Sequence, residues 1–200
     1  MDLLNLAKTN DRDRDKFVSR FLGIFSEDIA RLYFSSPFSE YIDLSRPTIK
    51  NKNGEKGHTL DFTLENKADK KIYVCEMKCE LEFENYKYIE LNDIGQIHHH
   101  IKYKEAFRKF LDLPLNKSKY IINVSKAKRK NIDVNGIILL WGKITKEKST
   151  IDEIKKEYNF FDILSLENMI NVMIKNNYSG YTNFINEKEK WVEYFFKNIK

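Results

Sequence analysis

The segment that decides the fold runs from Leu60-Asp61-Phe62-Thr63-Leu64-Glu65 through a polar link, Asn66 to Lys70, into Lys71-Ile72-Tyr73-Val74-Cys75-Glu76-Met77-Lys78-Cys79-Glu80. Leu60, Phe62 and Leu64 alternate with Asp61, Thr63 and Glu65, the period-two pattern of a half-buried strand, and the link is turn chemistry. The second run reads as another strand. Two neighbouring antiparallel strands are predicted. Side chains alternate along a strand, so Glu76 and Lys78 share one face while Cys75, Met77 and Cys79 share the other. A hairpin-like return across the fourteen intervening residues sets Asp61 beside Glu76.

Working outward, Phe17, Phe21, Ile24, Phe25, Ile29 and Leu32 keep helical spacing. Asp13 or Asp15 can open this helix, and Ser35, Ser36 and Pro37 close it; Gly23 weakens its continuity, and Ser26 before Glu27 and Asp28 can cap a second short helix. Tyr41 to Ile49 is a weak strand candidate followed by turn residues from Asn51 to Gly57, which predicts a hairpin. Leu91 to Leu111 reads as a helix ending before Pro114. Tyr120–Val124, Gly136–Ile144 and Phe160–Leu164 read as strands, Ser165 caps a helix through Met173, and a last helix holds Trp191, Tyr194, Phe195 and Ile199. This order predicts an α/β fold, a central mixed β-sheet flanked by α-helices, with extra C-terminal helices.

The whole chain frames that reading. Two hundred residues with 42% hydrophobic and 32% charged side chains make one globular domain spanning 1–200 the expectation, and 7 Gly and 3 Pro mark no linker. The longest strongly apolar run, Ile137 to Trp141, is far short of the ~20 residues of a membrane span, and the N-terminus lacks a signal-peptide pattern, so a cytoplasmic protein is expected. Cys75 and Cys79 in one strand would lie ~13 Å apart, beyond disulfide reach, and without matching Cys or His spacing a structural zinc site is improbable. A net charge of +5 is compatible with a polyanionic partner without proving one.

Asp61 with Glu76-Met77-Lys78 carries the chemistry. Acid-x-Lys also occurs at Glu65–Lys67, Asp69–Lys71 and Glu153–Lys155, but only Glu76 and Lys78 lie inside an apolar strand pattern. Mg²⁺ prefers oxygen ligands and is usually held by one or two carboxylates plus substrate phosphate, which Asp61 and Glu76 suit. A cation beside them, Lys78, can position water or phosphate. The alternative is a surface hairpin with ordinary cross-strand ion pairs.

Asp61…Glu76-x-Lys78, in that helix, strand and helix order through about residue 125, resembles the PD-(D/E)XK nucleases of the restriction-endonuclease-like fold. Leu60 stands where the superfamily often has proline. The resemblance implies that Asp61 and Glu76 bind Mg²⁺ (Mn²⁺ as a substitute), that the Met77 backbone carbonyl is a further ligand, and that Lys78 assists the attacking water. Members often add an acid from the first helix. Related Ser/Thr-Glu starts favour Glu27, periodicity favours Asp28, and both stay open with Glu27 ranked first. Gln96, His100 and Tyr103 share a helix face, similar to the Gln-x-x-x-Tyr element of RecB-like relatives, with His100 in the Tyr place; a plain polar surface is the other reading. His98, His99 and His100 point ~100° apart on a helix and cannot converge on one ion.

For the partner surface, Lys126, Lys128, Arg129 and Lys130 after a strand, with Lys102 and Lys104 on the second helix, suit phosphate backbones. Glu80, Glu82 and Glu84 would oppose phosphate if the strand continued that far. The expectation is a Mg²⁺-dependent endonuclease hydrolysing DNA in restriction or defence, working as a homodimer on two-fold DNA, with no nucleotide cofactor. The alternatives are a non-catalytic DNA-binding or assembly module of the same fold, and an RNA- or junction-directed nuclease.

Overall fold

A computed structural model describes residues 12–54, 56–79, 90–124 and 129–198. Glu80, Glu82, Glu84, Lys126, Lys128 and Ile199, singled out above, lie outside the described residues.

The Asn66 turn forms as its chemistry dictates. Asn66 Oδ1 accepts from the amides of Ala68 at 2.9 Å and Asp69 at 3.2 Å, and Lys70 takes a left-handed φ of 60°. It joins β4 (Phe62–Asn66) to β5 (Ile72–Lys78), antiparallel with Phe62 opposite Cys75 and Glu65 opposite Ile72. β1 (Tyr41–Asp43) pairs antiparallel with β4. On the other side β8 (Gly136–Trp141) and then β10 (Phe160–Ser165) add in parallel, giving a mixed sheet ordered β1-β4-β5-β8-β10.

Helices cover both faces, which is why β5 is buried along nearly its whole length where a hairpin at a surface would alternate. One face carries Phe62, Leu64, Tyr73, Cys75, Met77, Ile138 and Leu140, packed under Ala30 and Phe34 of α1 (Arg12–Ser35) and Leu166 and Met169 of α5 (Leu166–Lys175). The other carries Val74, Ile137, Leu139 and Trp141 under Ile97 of α2 (Ile94–Tyr103), Phe107, Phe110 and Leu113 of α3 (Glu105–Asn116) and Ile154 of α4 (Lys148–Tyr158). The expected α/β class, a mixed sheet flanked by helices with further helices toward the C-terminus, is therefore present; the last is α6 (Ser179–Asn198). Ser165 caps α5 as expected, its hydroxyl accepting from the Asn168 amide at 3.2 Å.

Three local expectations change. α1 runs through Gly23 unbroken, so Ser26 lies within a helix and caps none. The predicted helix from Leu91 to Leu111 breaks at Lys104, whose φ of −127° and ψ of 106° are extended, and Pro114 falls inside α3. On one straight helix Phe110 and Leu113 would point roughly 140–160° away from Ile97. The break resets the phase and brings all three into one core. The strand expected to complete the sheet near residue 125, β7 (Tyr120–Val124), belongs elsewhere: it pairs with β2 (Pro47–Asn51), which also pairs with β3 (His58–Thr59), in a second, antiparallel sheet. β8 takes its place beside β5. A short parallel pair, β6 (Glu90–Leu91) with β9 (Lys143–Ile144), borders the carboxyl end of β8.

Among the described residues no helix is long and apolar enough to cross a membrane.

Candidate functional site

Asp61 is the last residue before β4, where the backbone ladder to β5 ends. Its side chain continues the pairing in place of the backbone: Oδ2 accepts the Met77 amide at 2.8 Å. The expected neighbours thus meet at the carboxyl end of β5, the end at which parallel strands of open α/β sheets usually present ligand sites. Glu76 and Lys78 share a face, as strand parity requires, and both are buried, at 7% and 6% exposure.

Lys78 Nζ donates to Glu76 Oε1 at 2.7 Å and to the Met77 carbonyl at 3.1 Å, and stands 5.2 Å over the Phe107 ring. The other Glu76 oxygen, Oε2, is buried and takes no hydrogen bond among the described residues. Burial pushes the Glu76 carboxyl up to about 7; the Lys78 ammonium holds it down, and the Asp61 carboxylate alongside pushes it up. An unpaired buried carboxylate oxygen is costly, and a proton or a cation is what would satisfy it.

Two arginines that the sequence reading did not single out surround the pair. Arg31 of α1 ion-pairs with Asp43, donates to the Asp61 carbonyl at 3.0 Å and lies 4.7 Å over the Phe62 ring. Arg46 pairs with Glu27, which sits 3.8 Å from Arg31. Arg31 was within reach of the sequence as the i+4 partner of Glu27. Arg46 had no local signal, because its position depends on the chain crossing between two sheets.

These contacts separate the two first-helix acids. Glu27 joins the Asp61 cluster through the arginines. Asp28 instead accepts Lys188 of α6 at 2.9 Å, a tie between helices, and Lys188 also lies over the rings of Phe25 and Phe184. Glu27, ranked first for that role, is tied to the cluster through Arg31 and Arg46, and among the described residues no group of three or more His, Cys, Asp or Glu side chains is gathered to hold a metal. Two carboxylate oxygens and a nearby carbonyl still suit a hard cation that keeps most of its waters.

Gln96 is buried, and its amide serves the start of α2. Oε1 accepts from Asn92 at 2.9 Å and Asp93 at 3.1 Å, Nε2 donates to the Glu90 carbonyl at 2.9 Å, and Asp93 completes a capping box. These are the contacts the structure shows for a residue expected beside the metal site. His100 is buried edge-on to Phe107 and Trp141, while His98 and His99 are exposed. The three histidines diverge, as helix geometry requires.

Lys102, Lys104 and Lys130 are exposed, but Arg129 pairs with Glu65 at 3.3 Å. Glu65 lies at the opposite end of β4 from Asp61, so Arg129 is anchored roughly 13 Å along the strand from the carboxylate pair. A cleft of about 710 Å³ opens at that opposite end of the sheet, beside Gly136 and Phe160. Two lysines on its wall, Lys117 and Lys155, are paired with Asp133 and Asp162.

Cys75 lies fully in the core, where burial pushes its pKa well up.

No protein-family model matches the chain, and no curated protein or solved structure is similar to it.

Proposed function

We propose that the chain is a divalent-metal-dependent nuclease of the restriction-endonuclease-like type, with Asp61, Glu76 and Lys78 as its site. The observation that carries this reading is the buried, unpartnered Glu76 Oε2 beside the Asp61 carboxylate, with Lys78 against it, at the carboxyl end of β5. Mg²⁺ or Mn²⁺ would be held by Asp61 and Glu76, with the Met77 carbonyl adjacent, and would supply charge stabilisation at phosphate and an acidified water. The chain's own part is to fix the carboxylates. The Met77 amide orients Asp61, the core walls hold Glu76, and Lys78 keeps an ammonium at the edge of the pair. DNA is the preferred substrate, in restriction or defence within the cytoplasm and with a two-fold dimer where both strands are cut.

Purified protein should linearise or nick plasmid with Mg²⁺ or Mn²⁺ and not in EDTA. Asp61→Ala and Lys78→Ala should each lower the rate by at least about a hundredfold while the fold is retained by circular dichroism. Equal cleavage by Asp61→Ala, or by the wild type in EDTA, sinks the reading. Duplex, single-stranded, branched and RNA substrates assayed in parallel assign the class. A wild type that binds DNA without binding Mn²⁺ is instead the non-catalytic module.

A further inference from the structure

Arg46 comes to the Glu27 side of the site from outside the strands that carry the carboxylate pair. It ends the crossing from β1, in the first sheet, to β2, in the second: Leu44, Ser45 and Arg46. Two backbone hydrogen bonds clamp this crossing on either side of Asp61. Leu44 donates to the Thr63 carbonyl at 2.8 Å, and Leu60 donates to the Pro47 carbonyl at 3.0 Å. Between them Ser45 is held at a φ of 107°, a region side-chain-bearing residues rarely adopt. Its amide donates to Asp43 Oδ1 at 2.8 Å, and Asp43 is the partner of Arg31. Such strain persists where the surroundings over-determine it, and it clusters at functional sites. Here it fixes the residue that follows. Arg46 presents its guanidinium to Glu27 with 49% of the side chain exposed, close enough to feel the charges of Asp61 and Glu76.

The other cations of the site are committed inward. Lys78 is buried against Glu76 and the Met77 carbonyl, and Arg31 is taken up by Asp43, the Asp61 carbonyl and the Phe62 ring. Arg46 alone among these three is half open to solvent, and one carboxylate does not use all five N–H donors of a guanidinium. That planar fork matches a phosphate's oxygens.

Resting on the function proposed above, we propose that Arg46 is the phosphate-contacting residue of this site, gripping a backbone phosphodiester of the nucleic-acid substrate while Glu27 holds its side chain in place. Glu27 both orients Arg46 and competes with the phosphate for it. Ser45 serves as the strained pivot that aims it.

The test uses the full chain, with wild type, Arg46→Lys, Arg46→Ala and Asp61→Asn compared by thermal midpoint before assay. A fluorescent 12-nucleotide duplex is titrated in EDTA across a salt series, so that the metal plays no part. Arg46→Ala should weaken binding about tenfold and reduce the slope of log K against log salt by about one, with Arg46→Lys recovering the slope but only part of the affinity. A merely structural Arg46 would lower the midpoint and leave the salt slope alone. With Mg²⁺, Arg46→Ala should raise KM more than it lowers kcat. Wild-type binding and slope in Arg46→Ala overturn the inference, even where the wild type cleaves. Arg46-dependent duplex binding by a protein that cleaves nothing supports the inference and removes the nuclease reading. A wild type that neither binds nor cleaves the duplex overturns both.

Discussion

Glu76 joins burial to charge most sharply. Its carboxyl is pushed from an ordinary 4.5 up to about 7 because burial outweighs the help of Lys78. Between those values the unfolded chain has released a proton that the folded chain keeps. The folded state then binds more protons, so stability falls as pH rises from about 4.5 to about 7 and levels off above, a loss of about 3 kcal/mol. Glu76→Gln, which cannot titrate, should remove that slope. Urea midpoints of the two proteins at pH 4.5, 6 and 8 check it, and a wild-type curve that is flat or rising across this window contradicts it. The pairing of Glu76 with Lys78 was legible in the sequence, because a period of two needs only the two residues and the strand. Its depth was not. Burial on both faces of β5 depends on distant segments, with Phe107 and Trp141 on the Glu76 side and Phe34 and Met169 on the other.

Elements were legible where their signals are local. The Asn66 turn, the Ser165 cap and the strands around them carry their own chemistry. Placement of strands was another matter: Tyr120–Val124 and Gly136–Trp141 are both short apolar runs, and only the pairing of the first with Pro47–Asn51 sends it to the second sheet. The break at Lys104 was hidden for a related reason, since each half of the interrupted helix keeps a good period and only their relative phase betrays it. Gln96 ties a residue expected at the site to the start of an element. With both ends of its amide bound to the turn before α2, Gln96→Ala should cost about 1 kcal/mol of stability. Catalysis per folded molecule should stay within about twofold of wild type. Urea unfolding and kcat measured on the same preparation separate this from a catalytic loss, which would lower kcat by orders of magnitude at unchanged stability.

At the scale of the molecule, one sheet separates two cores and brings Asp61, Glu76 and Lys78 to the end where its parallel strands finish. The +5 total does not describe that end. There Glu27, Asp43, Asp61 and Glu76 gather against Arg31, Arg46 and Lys78, while Arg129 is tied to the far end of β4. An acidic pair balanced only by neighbouring cations is a place where a divalent ion can stabilise the fold as a whole, because the unfolded chain does not hold Asp61 against Glu76. An ion that binds only the folded state adds RT ln(1 + [L]/Kd), about 2.7 kcal/mol at a hundredfold excess over Kd. In a chain of this length that raises the thermal midpoint by about 5–10 °C. Mn²⁺ or Mg²⁺ should produce the shift in wild type, chelation should reverse it, and Asp61→Asn, which keeps the shape and removes the charge, should abolish it. The readout requires no substrate and no turnover. Equal shifts in wild type and Asp61→Asn would place the ion somewhere other than this pair, and no shift in wild type at millimolar Mn²⁺ would leave Glu76 relying on a proton alone.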